Sequence, residues 1–155
     1  MALFNMTDLA AAMRPGERLI GLDPGSRTIG VALSDVERRL ASPYGALRRG
    51  KLRANAAEVL ALARKEGAGG LVIGLPLEMD GRFGPAAQAA RDWAHALAEA
   101  TGLPAAMWDE RETSSKVHRF LIETADLSRA KRAAAVDRMA AALMLQGALD
   151  GAPDA

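Results

Sequence analysis

Cysteine is absent from this sequence of 155 residues, and aromatic residues make up only 4% of it. Without cysteine there can be no disulfide, no thiol catalysis and no zinc–thiolate site, which fits a protein of the reducing cytoplasm. Because aromatic side chains are scarce, stacking of bases on them is not expected to dominate any contact with nucleic acid. Any chemistry must therefore come from side chains other than thiols.

Long apolar runs are also missing. No stretch approaches the roughly 18 consecutive apolar residues that a membrane-spanning helix needs, so no membrane partner is expected. The N-terminal segment MALFNMTDLAAAM has neither the basic region nor the apolar run of a secretory signal. Both absences lead us to expect a cytoplasmic protein.

A strong excess of positive charge is the third absence. The formal net charge is +1, whereas a general nucleic-acid coat protein would be far more basic. Any binding of nucleic acid must then rely on local basic patches, although a cluster of charges can also be no more than a solvated face. Two clusters qualify, the first at Arg48, Arg49, Lys51 and Arg53 and the second at Arg129, Lys131, Arg132 and Arg138.

The length suits one domain, which we place at residues 18–150 between an N-terminal extension at 1–17 and a short tail at 151–155. Apolar periodicity and turn signals predict its elements. We expect strands at 18–23, 28–34, 40–47, 71–74 and 105–108, and helices at 6–13, 52–66, 85–100 and 133–149, with another helix from Thr113 or Ser114. A strand meander followed by alternating helices and strands predicts an α/β fold with a mixed five-stranded sheet flanked by helices. This order is that of the RNase H-like fold, but it would also suit other α/β folds.

Acidic residues follow two of the predicted strands. Asp23 ends the first strand, and Asp109 and Glu110 end the last one. Ligands of open α/β sheets bind at the carboxyl edge of the strands, where all three residues would lie. Since neighbouring residues on a strand point to opposite faces, only one of Asp109 and Glu110 can face a site shared with Asp23. Turn formation at Asp23 and helix electrostatics at the other two are the simpler explanations.

Asp137 is the more diagnostic carboxylate. Its helical neighbours at three, four and seven residues are Ala140, Ala141 and Met144, so it shares a stripe with small apolar residues that we expect to face the sheet. A lone buried carboxylate is costly and needs an ion-pair partner or a cation. An ion pair with Arg111 is one interpretation, and a metal ligand that reaches towards Asp23 is the other.

Three carboxylates from two strand ends and one helix would form an all-oxygen site. Such a site suits Mg²⁺ or Mn²⁺, and two of these ions can activate water and stabilise the leaving oxygen in phosphodiester cleavage. His95 lies beside Asp92 and Glu99 on the polar side of its helix and is expected to be exposed. His118 has no acid or nucleophile near it in sequence, and the serines lack a credible base. No other set of residues offers a comparable mechanism.

Four ordered motifs carry a resemblance to a known family. The segments GLDPGSRTIGVALSD, LVIGLPLEMDGRFGP, WDERETSSKV and AVDRMAAALMLQGALD resemble the opening motif, the Gly-Leu-Pro loop, the Asp-Glu-Arg motif and the C-terminal helix of the YqgF (RuvX-like) proteins. The resemblance implies an RNase H-like fold related to RuvC-type junction resolvases. It further implies a bacterial nuclease for the 5′ end of pre-16S ribosomal RNA, a family also described as Holliday junction resolvases.

The resemblance also implies roles for particular residues. Asp23, Glu110 and Asp137 would be both the catalytic and the metal-binding residues, with Mg²⁺ or Mn²⁺ as cofactor. Arg111 would hold a phosphate. Independently of the resemblance, Lys131 and Arg132 of the second basic cluster are expected to bind nucleic acid. Two departures from the family pattern are Glu78 in the Gly-Leu-Pro loop and Glu112 after the Asp-Glu-Arg motif.

Several alternatives stay open from sequence. The leading hypothesis is a nuclease for precursor rRNA, and its rival in the same class is a Holliday junction resolvase that acts on branched DNA as a two-fold dimer. A non-catalytic nucleic-acid-binding factor on the same fold belongs to another class. An actin-like ATPase would need two such halves, and this length supplies one. The oligomeric state is either a monomer or a homodimer.

Overall fold

A computed structural model describes residues 3–76, 82, 84–109 and 129–151, with the side chains of the last range described from residue 137 onward. Four helices and five strands lie in these ranges. They are α1 (Met6–Ala12), β1 (Arg18–Pro24), β2 (Thr28–Ser34), β3 (Ala41–Arg48), α2 (Leu52–Glu66), β4 (Ala68–Leu75), α3 (Pro85–Thr101), β5 (Ala105–Asp109) and α4 (Arg129–Gly151). The helix predicted from Thr113 or Ser114 lies outside the described residues.

The five strands form one mixed sheet in the order β3-β2-β1-β4-β5. The β1–β2 and β2–β3 pairs are antiparallel, whereas β4 lies parallel to both β1 and β5. This arrangement confirms the predicted mixed five-stranded sheet. Pro43 lies on the edge strand β3, where the register shifts, as expected for a residue that cannot donate a ladder hydrogen bond.

Large apolar residues cover one face of the sheet. Alternate residues of the three central strands are fully buried there against α2 and α3, which contribute Val59 and Leu97. We call this side the α2/α3 face. Its strand residues are Ile20, Leu22, Ile29, Val31, Leu71 and Ile73. The period of two along each strand separates them from the residues of the opposite face.

Helix α4 covers that opposite face, here called the α4 face. Its buried residues Ala141, Met144 and Leu145 pack with the small Ala32 of β2 and Ala106 of β5. The helix runs closest to β1, β2 and β3, and none of the helices in the described part of the chain is long and apolar enough to cross a membrane.

The N-terminal segment packs on the same side. Met6, Leu9 and Met13 are buried in the cluster that α4 also joins, and Phe4 pairs with Ala106 next to the edge strand β5. Residues 3–17, predicted as an extension, therefore contribute to the core.

Two sequence-based details of the helices were wrong. The sequence predicts Thr7 or Asp8 as the cap of α1, but the cap is Asn5, whose side chain accepts from the Asp8 amide. The helix begins at Met6, two residues before a Thr7 cap would allow. The predicted buried stripe of α3 includes Ala86, but the helix buries Ala87 instead. The many alanines of α3 satisfy several helical stripes equally well, so the apolar pattern could not fix the rotation of the helix.

Candidate metal and nucleic-acid site

Asp23 lies near the carboxyl end of β1 on the α4 face. It pairs with Gly30 of β2 in the antiparallel ladder, and directly paired residues project from the same face of a sheet. Two residues earlier on the same strand, a Cβ at Gly21 would contact Leu145 of α4. Both relationships direct the half-buried Asp23 side chain towards the helix that carries Asp137.

Asp137 is tied to the sheet by a side-chain hydrogen bond. The Thr28 hydroxyl at the start of β2 donates to Oδ2 of Asp137 over 2.7 Å. The neighbours Ala140, Ala141 and Met144 are all buried, which confirms that this stripe of α4 faces the sheet. Asp137 itself is only half-buried. Its carboxylate therefore stays near solvent, although the rest of this stripe is packed against the sheet.

Gly30 lets the two acidic residues approach each other. A Cβ at this position would overlap the backbone carbonyl of Asp137 and would come within 3.4 Å of the Ala141 Cβ. Helix α4 therefore lies against β2 directly beside the ladder partner of Asp23. Asp23 and Asp137 share one face and one end of the sheet, as the hypothesis of a shared carboxylate site requires.

Asp109 lies on the other face. Along β5, Ala105 and Met107 pack into the cluster of the α2/α3 face, whereas Ala106 belongs to the α4 cluster. Alternation along the strand places Asp109 with Ala105 and Met107. Of the two adjacent acidic candidates, Asp109 therefore does not face Asp23.

The remaining predicted site residues are only partly covered. Glu110, Arg111, Glu78 and Glu112 lie outside the described residues, and Lys131 and Arg132 lie on α4 where its side chains are not described. Within the described ranges no group of three or more acidic or histidine side chains could hold a metal ion. The site of three carboxylates stays a prediction, with Glu110 as its third member.

Sequence reasoning missed Thr28 and Gly30. A usable signal was present, because β2 alternates large apolar residues with small ones. Small residues at every second position of a strand indicate that a helix lies close to that face. The polar member of that series, Thr28, would then have been the natural candidate for a contact with the helix.

Comparison with known proteins assigns the chain to a family. A family model described as "RuvX: Holliday junction resolvase" matches residues 17–151. The chain belongs to the RuvX family. RuvX relatives include proteins of Acidiphilium cryptum, 67% identical over 97% of this chain and 94% of the relative, and of Gluconacetobacter diazotrophicus, 63% identical over 97% of both. Each is named "Putative pre-16S rRNA nuclease".

These alignments also include most of the N-terminal segment, because they span 97% of the chain, whereas the family model begins at residue 17. Among solved structures, Thermus thermophilus RuvC in complex with a Holliday junction substrate superposes with a TM-score of 0.52 and 17% identity. The match covers 86% of this chain and 94% of that one. This similarity confirms the RNase H-like fold.

Proposed function

We propose that this RuvX protein is a metal-dependent nuclease that processes the 5′ end of pre-16S ribosomal RNA. Membership of the RuvX family makes it a nuclease, a hydrolase of phosphodiester bonds that acts on nucleic acid. The observation that carries the metal-dependent mechanism is the placement of Asp23 and Asp137 on one face at one end of the sheet, with Gly30 between them. The proposed role in ribosome biogenesis places the protein in the cytoplasm.

The donor chemistry of this end of the sheet fits a hard divalent cation. Carboxylate oxygens are the ligands that Mg²⁺ and Mn²⁺ prefer. The Thr28 hydroxyl binds Oδ2 of Asp137 and so fixes the rotation of that carboxylate, while Oδ1 remains for a cation. Bound there, a divalent ion supplies the Lewis acidity that stabilises charge developing on the phosphate.

The side chains of the chain itself would position the reactants. Asp23, Glu110 and Asp137 are the proposed ligands, and Asp23 would be the central one because it comes from the middle of the sheet. Arg111 would hold the phosphate next to the cleaved bond, and Lys131 and Arg132 on α4 would bind the backbone further along the strand. Phosphate contacts of this kind set the register of the nucleic acid without reading its sequence.

A second candidate is resolution of Holliday junctions. The family model carries that description, so the same carboxylates would act on branched DNA. A resolvase must cut two strands symmetrically, which calls for a two-fold dimer. The RNA-processing assignment is preferred because relatives with 67% and 63% identity carry the rRNA nuclease name.

The test is cleavage of a precursor 16S rRNA fragment and of a four-way DNA junction side by side, each with Mg²⁺, with Mn²⁺ and with chelator. We expect metal-dependent cleavage of the RNA at the 5′ precursor boundary and little cutting of the junction. Symmetric cutting of the junction alone would instead establish the resolvase. Cleavage that persists in chelator would contradict the metal-dependent mechanism, and binding without any cleavage would indicate a non-catalytic factor.

A matched pair of variants makes the assay specific to the site. Asp137→Asn removes the charge of one proposed ligand but keeps the size of the side chain and its ability to accept a hydrogen bond. Asp92→Asn is the control, because Asp92 is exposed on α3, on the other side of the sheet, where it accepts from Gln88. Only Asp137→Asn should lower the cleavage rate and raise the metal concentration for half-maximal activity.

A further inference from the structure

An open groove of about 640 Å³ lies between the β1–β2 turn and the end of β3. Its lining includes Arg27 and Thr28 from the first segment and Arg48 and Arg49 from the second. Three of the seven lining residues are arginines and none is acidic. On a chain whose net charge is only +1, this is a strong local concentration of positive charge.

The three arginines of the groove have different surroundings. Arg27 and Arg48 are exposed, and neither takes part in an ion pair with any of the described residues. Arg49 instead donates to the Gly25 carbonyl over 2.7 Å and lies 5.5 Å from the ring centre of Trp93. Arg49 therefore joins the two walls of the groove, while Arg27 and Arg48 keep their guanidinium groups for a ligand.

A buried polar side chain fixes the backbone of the groove wall that is formed by the end of β3. Asn55 of α2, only 1% exposed, donates to the Arg48 carbonyl over 3.0 Å and accepts from the Gly50 amide over 2.9 Å. The Arg49 amide also donates to the Arg27 carbonyl over 2.8 Å. A wall whose backbone is held in this way fixes the chain at Arg27 and Arg48 before the ligand arrives, so that binding has to order only their side chains.

Thr28 connects the groove to the proposed metal site. The residue lines the groove and also donates to Asp137. Its ladder partner across the β2–β3 pair is Arg48, so the two side chains project from the same face of the sheet. Since neighbouring strands are about 4.8 Å apart, Arg48 begins roughly 10 Å from β1, which carries Asp23.

We infer that this groove binds the sugar–phosphate backbone of the nucleic-acid strand being cleaved, with Arg27 and Arg48 contacting phosphates beside the cleaved bond. The inference rests on the proposed nuclease function and adds Arg27 and Arg48 to the proposed nucleic-acid-binding residues Arg111, Lys131 and Arg132. Guanidinium groups bind phosphate oxygens in pairs of parallel hydrogen bonds. A groove without acidic residues, open to solvent and continuous with the carboxylate site, suits a polyanionic strand and fits an acidic protein surface less well.

The test measures binding and cleavage separately for an Arg27→Gln/Arg48→Gln double variant. Binding of a short labelled single-stranded RNA is followed by fluorescence anisotropy in chelator over a range of salt concentrations, so that no cleavage occurs. We expect the variant to bind at least tenfold more weakly. The slope of log K against log salt concentration should become less negative by about 1.4, the value for the loss of two phosphate contacts on a single strand. In the cleavage assay KM should rise and kcat should stay near the wild-type value.

Two further variants serve as controls. Arg64→Gln/Lys65→Gln removes two exposed charges from α2, away from the groove, and should bind RNA like the wild type. Arg48→Lys keeps a charge for the phosphate and should recover part of the affinity that Arg48→Gln loses.

The outcomes separate this inference from the proposed function. Wild-type affinity and salt slope in the double variant would overturn the inference that the groove binds the strand. An equal loss of affinity in the α2 control would also overturn it, and so would a lower kcat with an unchanged KM in the double variant. If the wild type binds RNA through the groove but cleaves nothing, the nuclease mechanism fails and the binding surface stands.

Discussion

The two faces of the sheet are built from different kinds of residue. On the α2/α3 face, large side chains such as Leu22 and Ile29 are fully buried against two helices. On the α4 face the neighbours of these residues along the same strands are Asp23 and Gly30, and α4 lies against Gly30. The same strands therefore contribute to the packed core with one face and to a polar site with the other.

The difference shows how the site depends on small residues. Bulky side chains hold a helix at the usual packing distance and exclude water, which favours stability. Glycine at position 30 lets the backbone of α4 reach the sheet, so that a carboxylate from the helix can meet one from the strand. We therefore expect substitutions on the α2/α3 face to change stability and substitutions on the α4 face near Asp23 to change activity.

The largest expected effect on activity comes from Asp23→Asn. The variant keeps the size of the side chain but removes the charge, so the proposed cation loses its central ligand. We expect cleavage to fall by about two orders of magnitude or more, on the scale of losing one transition-state stabilising group. Circular dichroism and thermal melting should show a folded protein, and binding of nucleic acid in chelator should persist. Purified, folded Asp23→Asn that cuts at the wild-type rate would contradict Asp23 as an essential ligand.

Leu22→Ala is the matched variant on the opposite face. Leu22 adjoins Asp23 on β1 but is fully buried in the other cluster. Truncation of a buried leucine costs about 3–5 kcal/mol in unfolding free energy through lost burial and the remaining cavity. Denaturant unfolding should show this loss, while the cleavage rate per folded molecule stays close to the wild type. A selective loss of activity in folded Leu22→Ala would mean that the two faces are not independent.

Gly30→Ala should affect both properties at once. The added methyl group would overlap the Asp137 carbonyl, so α4 must shift away from β2. We expect a loss of about 1–3 kcal/mol in unfolding free energy, as for overpacking elsewhere, together with reduced cleavage. Gly45→Ala on the adjacent strand is the control, because a Cβ there meets nothing within 4 Å. Equal behaviour of the two variants would show that the close approach at Gly30 has no role.

The smallest of these effects concerns Thr28. Thr28→Val keeps the shape but removes the hydroxyl that donates to Asp137. Loss of a partner that orients a metal ligand typically costs about 10-fold or more in metal affinity or activity. We expect a higher Mg²⁺ concentration for half-maximal cleavage and an unchanged melting temperature, with recovery in Thr28→Ser. If Ser and Val behave alike, the hydroxyl does not position Asp137.

Much of the fold could be predicted because the relevant signals are local. Strand β2 was placed at its observed bounds, since alternating apolar residues between turn signals specify a strand. Helix α2 was also predicted at its bounds, and it ends at Glu66 because the following Gly67 adopts a left-handed φ of 70°, which favours glycine. The stripe of Asp137 was correct because helical spacing alone decides which residues share a face.

Other features could not be predicted, since they depend on contacts between distant segments. The Thr28–Asp137 hydrogen bond joins residues 109 positions apart. The burial of the polar Asn55 side chain likewise follows from its hydrogen bonds to the backbone of another segment. The sequence alone does not choose between the adjacent acids after β5, whereas the packing of Ala105 and Met107 decides that Asp109 faces away from Asp23.

The sequence by itself determined the type and order of the described elements, the RuvX family and the identity of the acidic candidates, because periodicity, turn residues and motifs are properties of short segments. Only the tertiary structure decided that α4 lies close against β2 at Gly30, that Thr28 holds Asp137, and that Arg27 and Arg48 share a groove. The physical reason is that helix–sheet distance and side-chain partners depend on which surfaces meet, and that is fixed by the packing of the whole sheet and its helices.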